Sequence, residues 1–352
     1  MKKGKKVLFL IIGFLVLVAF IIWKEGIGNF LMQLKQVKYG YIAIGCLVMF
    51  SETMFDSFSM HSIRKNYQKD ASLFTSIKCM YSSFALGLLT PFQSGYLAGA
   101  ITYLTKDKMR VSDASTVMLC KTISYMVVQQ IFVITMILTQ YTKFNLPSIV
   151  WVFVAISFLV TTFYLFLIFL ISKAEKLLIK IVEGLLKFLK RLHILKNIEE
   201  INTKSKEEIH NLKTNMGNIH LKPSSIVISL LSSTGQVICI YGISWFIYKG
   251  VSLNVGLSPF EVITGQALCN IIQQIIPIPG GLGVTEVMFT NIMGKIMGMD
   301  RINLSMLIWR LISTYLPITY GLTILLFESG KNKKKSKNLE INQLEPERKF
   351  HF

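Results

Sequence analysis

NIIQQIIPIPGGLGVTEVMF, residues 270–289, sets two prolines, three glycines and the carboxylate of Glu286 into a run otherwise apolar enough to enter a membrane. Proline lacks an amide donor and ends a helix before it, while glycine permits positive φ and close backbone approach. Pro277, Pro279, Gly280, Gly281 and Gly283 fall within seven residues, which predicts a true interruption rather than the proline kink that membrane helices tolerate. GGLG is not a phosphate loop of the nucleotide-binding kind, because no strand precedes it and its setting is apolar. A second interrupted stretch, TPFQSGYLAG at 90–99, fits a kinked span and a broken one equally well.

The rest of the chain supplies the setting. Of 352 residues 52% are hydrophobic, and the mean hydropathy is +0.52. This is the composition of a polytopic membrane protein. Runs able to cross about 30 Å of hydrocarbon occur at 7–23, 39–60, 114–139, 147–172, 225–248 and 303–327, and two interrupted ones at 75–104 and 259–298. The opening MKKGKK leads into 17 apolar residues with no small-residue cleavage site, so an uncleaved first span is expected. The five cysteines all lie in apolar stretches without a CxxC pair, and no histidine stands at ligand spacing from another donor. Neither a disulfide framework nor a metal or other cofactor is expected. The net charge of +19 sits in short loops and tails beside spans, which the positive-inside rule explains better than nucleic acid does.

That rule also orders the spans. If every apolar stretch crossed once, the segment 173–224, with 11 Lys and Arg, would lie outside. If 75–104 and 259–298 each enter and return, that segment, both termini and the basic flanks of the first hairpin become cytoplasmic. The expected fold is therefore an all-α polytopic membrane protein with about six full spans and two oppositely oriented re-entrant or broken helical hairpins. Residues 1–330 form the membrane domain, with an amphipathic cytoplasmic loop at 173–224, and 331–352 a basic cytoplasmic tail. The segment 24–38, with three lysines that the count places outside, reads as an amphipathic interfacial helix.

Short, Gly/Pro-interrupted segments at corresponding positions in two halves are what transporters use to present unpaired backbone groups near the midplane. Ionisable residues inside spans are the other pointer, since a central charge costs about 2.5–3.5 kcal/mol even on the lenient insertion scale. Lys121 and Arg310 each lie about two helical turns inside a span. Glu286 opens the second arm of the broken hairpin, where a carboxylate suits a helix N-terminus, and is expected to pair with Arg310. That pair reads equally as a static tie between hairpin and last span and as part of an anion-binding site, because a guanidinium matches phosphate bidentately. Glu52 and Asp56 share a helix face near the cytoplasmic end of their span, where solvation or a pair with Lys78 and a functional role read equally well.

At this point PIPGGLGVTEVMF resembles the P-x-P-G-x-x-G-x-x-E motif of the lysylphosphatidylglycerol synthase transmembrane region, a flippase-like family. LIWRLISTYLPITYG (307–321) is similar to that family's last span, and TPFQSG followed by Lys121 to its first motif. The resemblance implies opposed re-entrant helices and transfer of a phospholipid, phosphatidylglycerol or its lysyl derivative, between leaflets of a bacterial cell membrane. It implies lipid-binding or translocation roles for Thr90, Pro91, Ser94, Gly95, Lys121, Pro277, Pro279, Gly280, Gly283, Glu286, Trp309, Arg310 and Tyr315, with Pro317 beside them. After TPFQSG this chain has Tyr96, Leu97 and Ala98, where many relatives carry another glycine and a polar pair.

The partner expected is thus an anionic or aminoacylated phospholipid, and no catalytic residue is expected. Two other readings stay open. One is phosphatidylglycerol lysyltransferase, with tRNA as a partner. In two-domain relatives that activity belongs to a soluble domain, which the residues after the last span are too few to form. The other is a membrane partner of a separate lipid-modifying enzyme. A homo-oligomer is compatible with every reading.

Overall fold

A computed structural model describes residues 26–140, 146–173, 221–251, 256–274, 278–299 and 301–328, with scattered positions before residue 26 and between 179 and 206. The span expected at 7–23, most of the loop 173–224, Pro277 and the tail lie outside the described residues.

The described residues form helices without a strand: α1 (Ile27–Lys35), α2 (Tyr39–Arg64), α3 (Leu73–Leu88), α4 (Ser94–Lys106), α5 (Val111–Gln140), α6 (Ser148–Lys173), α7 (Pro223–Val251), α8 (Pro259–Gln273) and α9 (Val284–Met297), then α10 (Ile302–Glu328). Among them α2, α5, α6, α7 and α10 are long and apolar enough to cross a membrane. They coincide with five of the six full spans expected from the sequence. Ile131, Leu138, Leu159 and Leu231 point outward from these helices. Exposed leucines and isoleucines on every side belong to a multi-pass membrane protein, in which lipid rather than water meets them.

The spine of the molecule is the antiparallel pair α2 and α7. Small and hydroxylic residues line its seam: Ser59 and Ser229 hydroxyls meet at 2.8 Å, and Ser62 donates to the Ser225 carbonyl at 3.1 Å. A Cβ on Gly235 would stand 2.8 Å from the Phe55 ring, so glycine sets the helix separation there. Close backbone approach through small residues is how helices gain packing energy where lipid removes the hydrophobic drive.

Both interrupted stretches are hairpins of short helices. Leu88 ends α3, the tight turn Pro91–Gln93 follows, and α4 runs back along α3 with Cys79 against Ala100 and Gly87 against Tyr96. The alternative of one kinked span through 75–104 is thereby excluded. In the second hairpin α8 starts with Pro259 as its first residue and Ser258 as cap, whose N–H donates to Glu261 at 2.7 Å. After the turn Pro279–Gly281, α9 returns antiparallel, Cys269 facing Met288.

The hairpins enter from opposite ends of the spine. At one end Arg64 of α2, fully buried, pairs with Asp107 and donates to Ser76 at 3.2 Å, so it ties both arms of the first hairpin to the spine. At the other, Arg301 donates to the Val251 carbonyl at 3.1 Å, beside the base of the second hairpin. The two turns touch each other, and Leu88, Leu89, Leu282 and Tyr315 form a small apolar cluster beside them. Helix α1 stands where the amphipathic segment was expected, with Phe30 turned into the core.

Candidate functional site

The second turn is the better-fixed of the two. Gly280, Gly281 and Gly283 have φ of 62°, 66° and 85°, backbone that an L side chain strains to adopt. The carbonyls so exposed converge on Arg310, whose guanidinium donates to Gly280 O at 2.6 Å, Gly281 O at 3.4 Å and Thr314 Oγ1 at 3.3 Å. Its Nε donates to Glu286 Oε1 at 2.7 Å, and the other Glu286 oxygen accepts the Gly283 N–H at 2.7 Å. The expected pair of Glu286 and Arg310 is present, and Arg310, with no exposed surface, spends its donors on the turn. Immediately after Arg310 the last span widens into a π turn, Leu311–Tyr315. Pro317 supplies the cause, since it has no N–H for the Ser313 carbonyl and its ring crowds that position.

The first turn is held differently. Thr90 Oγ1 accepts the Gly95 N–H at 2.7 Å and donates toward the Leu86 and Gly87 carbonyls at 3.1 and 3.0 Å. Gly95 has no room for a Cβ, which would meet Thr90 Oγ1 at 2.7 Å. Phe92 and Gln93 carry φ of 51° and 54°. Two successive side-chain-bearing residues in the left-handed region are strained, and such strain collects at functional loops.

Behind this turn lies a buried cluster of charge. Lys121 of α5 pairs with Asp56 of α2 and reaches the Tyr96 hydroxyl at 2.5 Å, while Tyr96 donates to the second Asp56 oxygen at 2.7 Å. The Lys121 ammonium also sits over the Tyr96 and Tyr125 rings, at 4.9 and 5.4 Å. One turn back, Glu52 accepts from Gln236 Nε2 at 2.8 Å and Thr53 Oγ1 at 3.0 Å. Of the two readings of Glu52 and Asp56, the one in which solvent or Lys78 satisfies them is overturned: they are 1% and 2% exposed, and Lys78 stands 3.6 Å from Glu328 instead. Packing of α2 against α5 decides this, a tertiary fact that helical spacing does not contain.

Glu52, Tyr96 and Lys121 form one wall of a cavity of about 420 Å³, lined by the first turn and by α2, α3, α4, α5, α6, α7, α8 and α10. Ser94 and Trp309 line it, and Trp309 is stacked on Phe289 at 5.1 Å. Gly280, Gly283, Glu286 and Arg310 stand behind the lining as the clamp of the second turn. Pro279 begins that turn and Pro91 the first, whereas Thr90 and Gly95 face a separate groove on the outer side of the first hairpin. Tyr315 packs on the Leu88 cluster.

Carboxamides recur in the remaining lining among apolar and aromatic side chains, including Gln129, Gln236, Gln266, Asn270 and Gln273. They went unrecognised in the sequence, where only charged residues inside spans, Glu52 among them, were weighed. Glutamines recurring in apolar runs were the available signal, because each must find a polar partner or face a polar space. The cavity's rim carries Phe92, Val160 and Tyr164, all exposed on the outer surface. A polar group enclosed here would therefore keep an apolar attachment outside, in lipid.

The family described as the lysylphosphatidylglycerol synthase TM region matches residues 7–321. No curated protein matches the chain.

Proposed function

Because the chain belongs to the lysylphosphatidylglycerol synthase transmembrane-region family, we propose that it is a phospholipid translocase. On this reading the headgroup of phosphatidylglycerol, or of its aminoacylated derivative, crosses through the carboxamide cavity while the acyl chains stay outside past Phe92 and Val160. The observation that carries the reading is one cavity lined by residues of both hairpins, whose turns touch each other, with charged and carboxamide groups set among apolar side chains. Its volume of about 420 Å³ lies in the range of small-ligand sites, enough for a headgroup and too small for whole lipid chains.

The hairpins would be re-entrant, the first from the cytoplasm and the second from outside. This places Lys65, Lys69, Lys106, Lys108 and Lys222 on the cytoplasmic side, in accord with the positive-inside rule. In this scheme Arg310 is a positioning residue. It holds the second turn in shape through Gly280 and Gly281, and Lys121 fixes Tyr96 and the first turn's return arm.

Reconstitution tests the proposal. Liposomes holding the purified protein and fluorescent phosphatidylglycerol, or its lysyl derivative, should lose more than the outer-leaflet half of their signal to a membrane-impermeant quencher. Loss no greater than in protein-free liposomes for both lipids would refute autonomous translocation.

A further inference from the structure

Among the described residues, the charge cluster at this cavity is short of one positive charge. Facing Glu52 are Asp56 from its own helix and Lys121 from α5. The other titratable groups around it are Tyr81 of α3, Tyr96 of α4, Tyr125 of α5, Cys239 of α7 and Tyr320 of α10. The ordinary states of tyrosine and cysteine at neutral pH are uncharged, and the pair of Arg310 and Glu286 is balanced in itself. Two carboxylates therefore share one ammonium, and that ammonium is committed to Asp56.

Hydrogen bonding has the same sign. Gln129, Gln236 and Gln266 line this cavity, are 2%, 6% and 1% exposed, and each has a side-chain oxygen with no donor. Gln236 turns its NH₂ to Glu52 Oε1 at 2.8 Å, an oxygen that accepts in the carboxylate and, as the carbonyl oxygen, in the acid. A space bounded by spare acceptors and an excess carboxylate suits a group that brings N–H donors and positive charge. A phosphate brings neither.

We infer that Glu52 and these three carboxamides form an exchange site at which a proton and an ammonium group are alternative occupants. With the cavity empty of a cation, Glu52 is a neutral carboxylic acid, and the buried cluster balances as one carboxylate against Lys121. When an R–NH₃⁺ group enters, the Glu52 O–H bond breaks, its proton leaves through the cavity to solvent, and the carboxylate pairs with the ammonium. Gln129, Gln236 and Gln266 accept the remaining N–H donors. One positive charge enters for each proton released, so the interior never carries the unbalanced charge. The site itself rests only on the cavity's residues; that the ammonium arrives on a lipid rests on the translocation reading.

The test uses the full chain in uncharged-detergent micelles and calorimetric titration between pH 5.5 and 7.5, in buffers of different ionisation enthalpy. Three probes separate the sources: dodecylammonium as a lipid-borne ammonium, methylammonium as a free cation, and dihexanoyl-phosphatidylglycerol as an anionic lipid. Amines of this kind keep their charge across the range, near the lysine value of about 10.4, so proton release reports the protein. The expected result is dodecylammonium binding that tightens up to tenfold per pH unit and releases close to one proton. Phosphatidylglycerol, which brings neither N–H donors nor positive charge, should bind more weakly and release no proton, and Glu52→Gln should flatten the pH profile and abolish release.

Binding of dodecylammonium without proton release, or a Glu52→Gln protein with the wild-type profile, overturns the exchange site. If phosphatidylglycerol still binds in that case, the translocation reading survives. Equal binding of methylammonium and dodecylammonium with proton release, and none of phosphatidylglycerol, keeps the exchange site and removes its lipid source. Should Glu52→Gln fail to fold, Gln266→Leu serves: it should weaken ammonium binding at least tenfold while proton release at saturation stays near one.

Discussion

Arg310 shows at the scale of one residue how a charge becomes affordable inside a membrane protein. Its donors meet a carboxylate, two carbonyls and a hydroxyl, and none faces lipid. Truncation to alanine takes the counter-charge from Glu286 and a donor from each of the Gly280 and Gly281 carbonyls, so Arg310→Ala should cost about 3–5 kcal/mol, read as a lower unfolding temperature in detergent. Lysine keeps the charge but not the planar fork. Arg310→Lys should recover only part of the loss, and full recovery would mean that charge alone holds the turn. This pair was legible in the sequence, because a carboxylate three residues past a proline–glycine break needs a partner, and Arg310 lies in the next span. The Lys121 partner was not legible: Asp56 is 65 positions away, and only the packing of α2, α4 and α5 brings them together.

The elements differ in how openly they announce themselves. Five long spans followed from apolar length, and the hairpin at 270–289 from the density of proline and glycine. The first hairpin was ambiguous because its turn carries one proline and puts Phe92 and Gln93, rather than glycines, in left-handed backbone. Gln93→Gly should therefore stabilise the chain by up to about 1 kcal/mol, since glycine adopts positive φ without the side-chain penalty. In the second turn the sign reverses. Gly281→Ala brings a Cβ against the Thr285 hydroxyl at φ 66°, and should cost about 1–2 kcal/mol or more. Thermal unfolding of both variants, monitored by intrinsic fluorescence, checks the pair. A destabilised Gln93→Gly protein would mean that Gln93 makes a contact worth more than its strain.

At the scale of the whole molecule, two hairpins from opposite ends meet at a cavity that no single element encloses. That meeting fixes an orientation which labelling can read. A cysteine at Lys106, the base of the first hairpin, should react with a membrane-impermeant maleimide from the cytoplasmic side of oriented membrane vesicles only, and one at Pro259 from the opposite side only. Labelling of both from one side would exclude opposed entry. Antiparallel packing of α2 on α7, which sets the two ends, depends on the seam at Ser59, Ser229 and Gly235. Periodicity gave no notice of it, because both helices are apolar on nearly every face.

The most direct measurement fills the cavity without touching either turn's clamp. Ser313 lines the space and its hydroxyl bonds only its own helix, to the Trp309 carbonyl at 2.8 Å. In liposomes carrying fluorescent phosphatidylglycerol, Ser313→Trp protein with an unchanged unfolding temperature should pass lipid at least tenfold more slowly than wild type. Passage at the wild-type rate would place the lipid path somewhere other than this cavity.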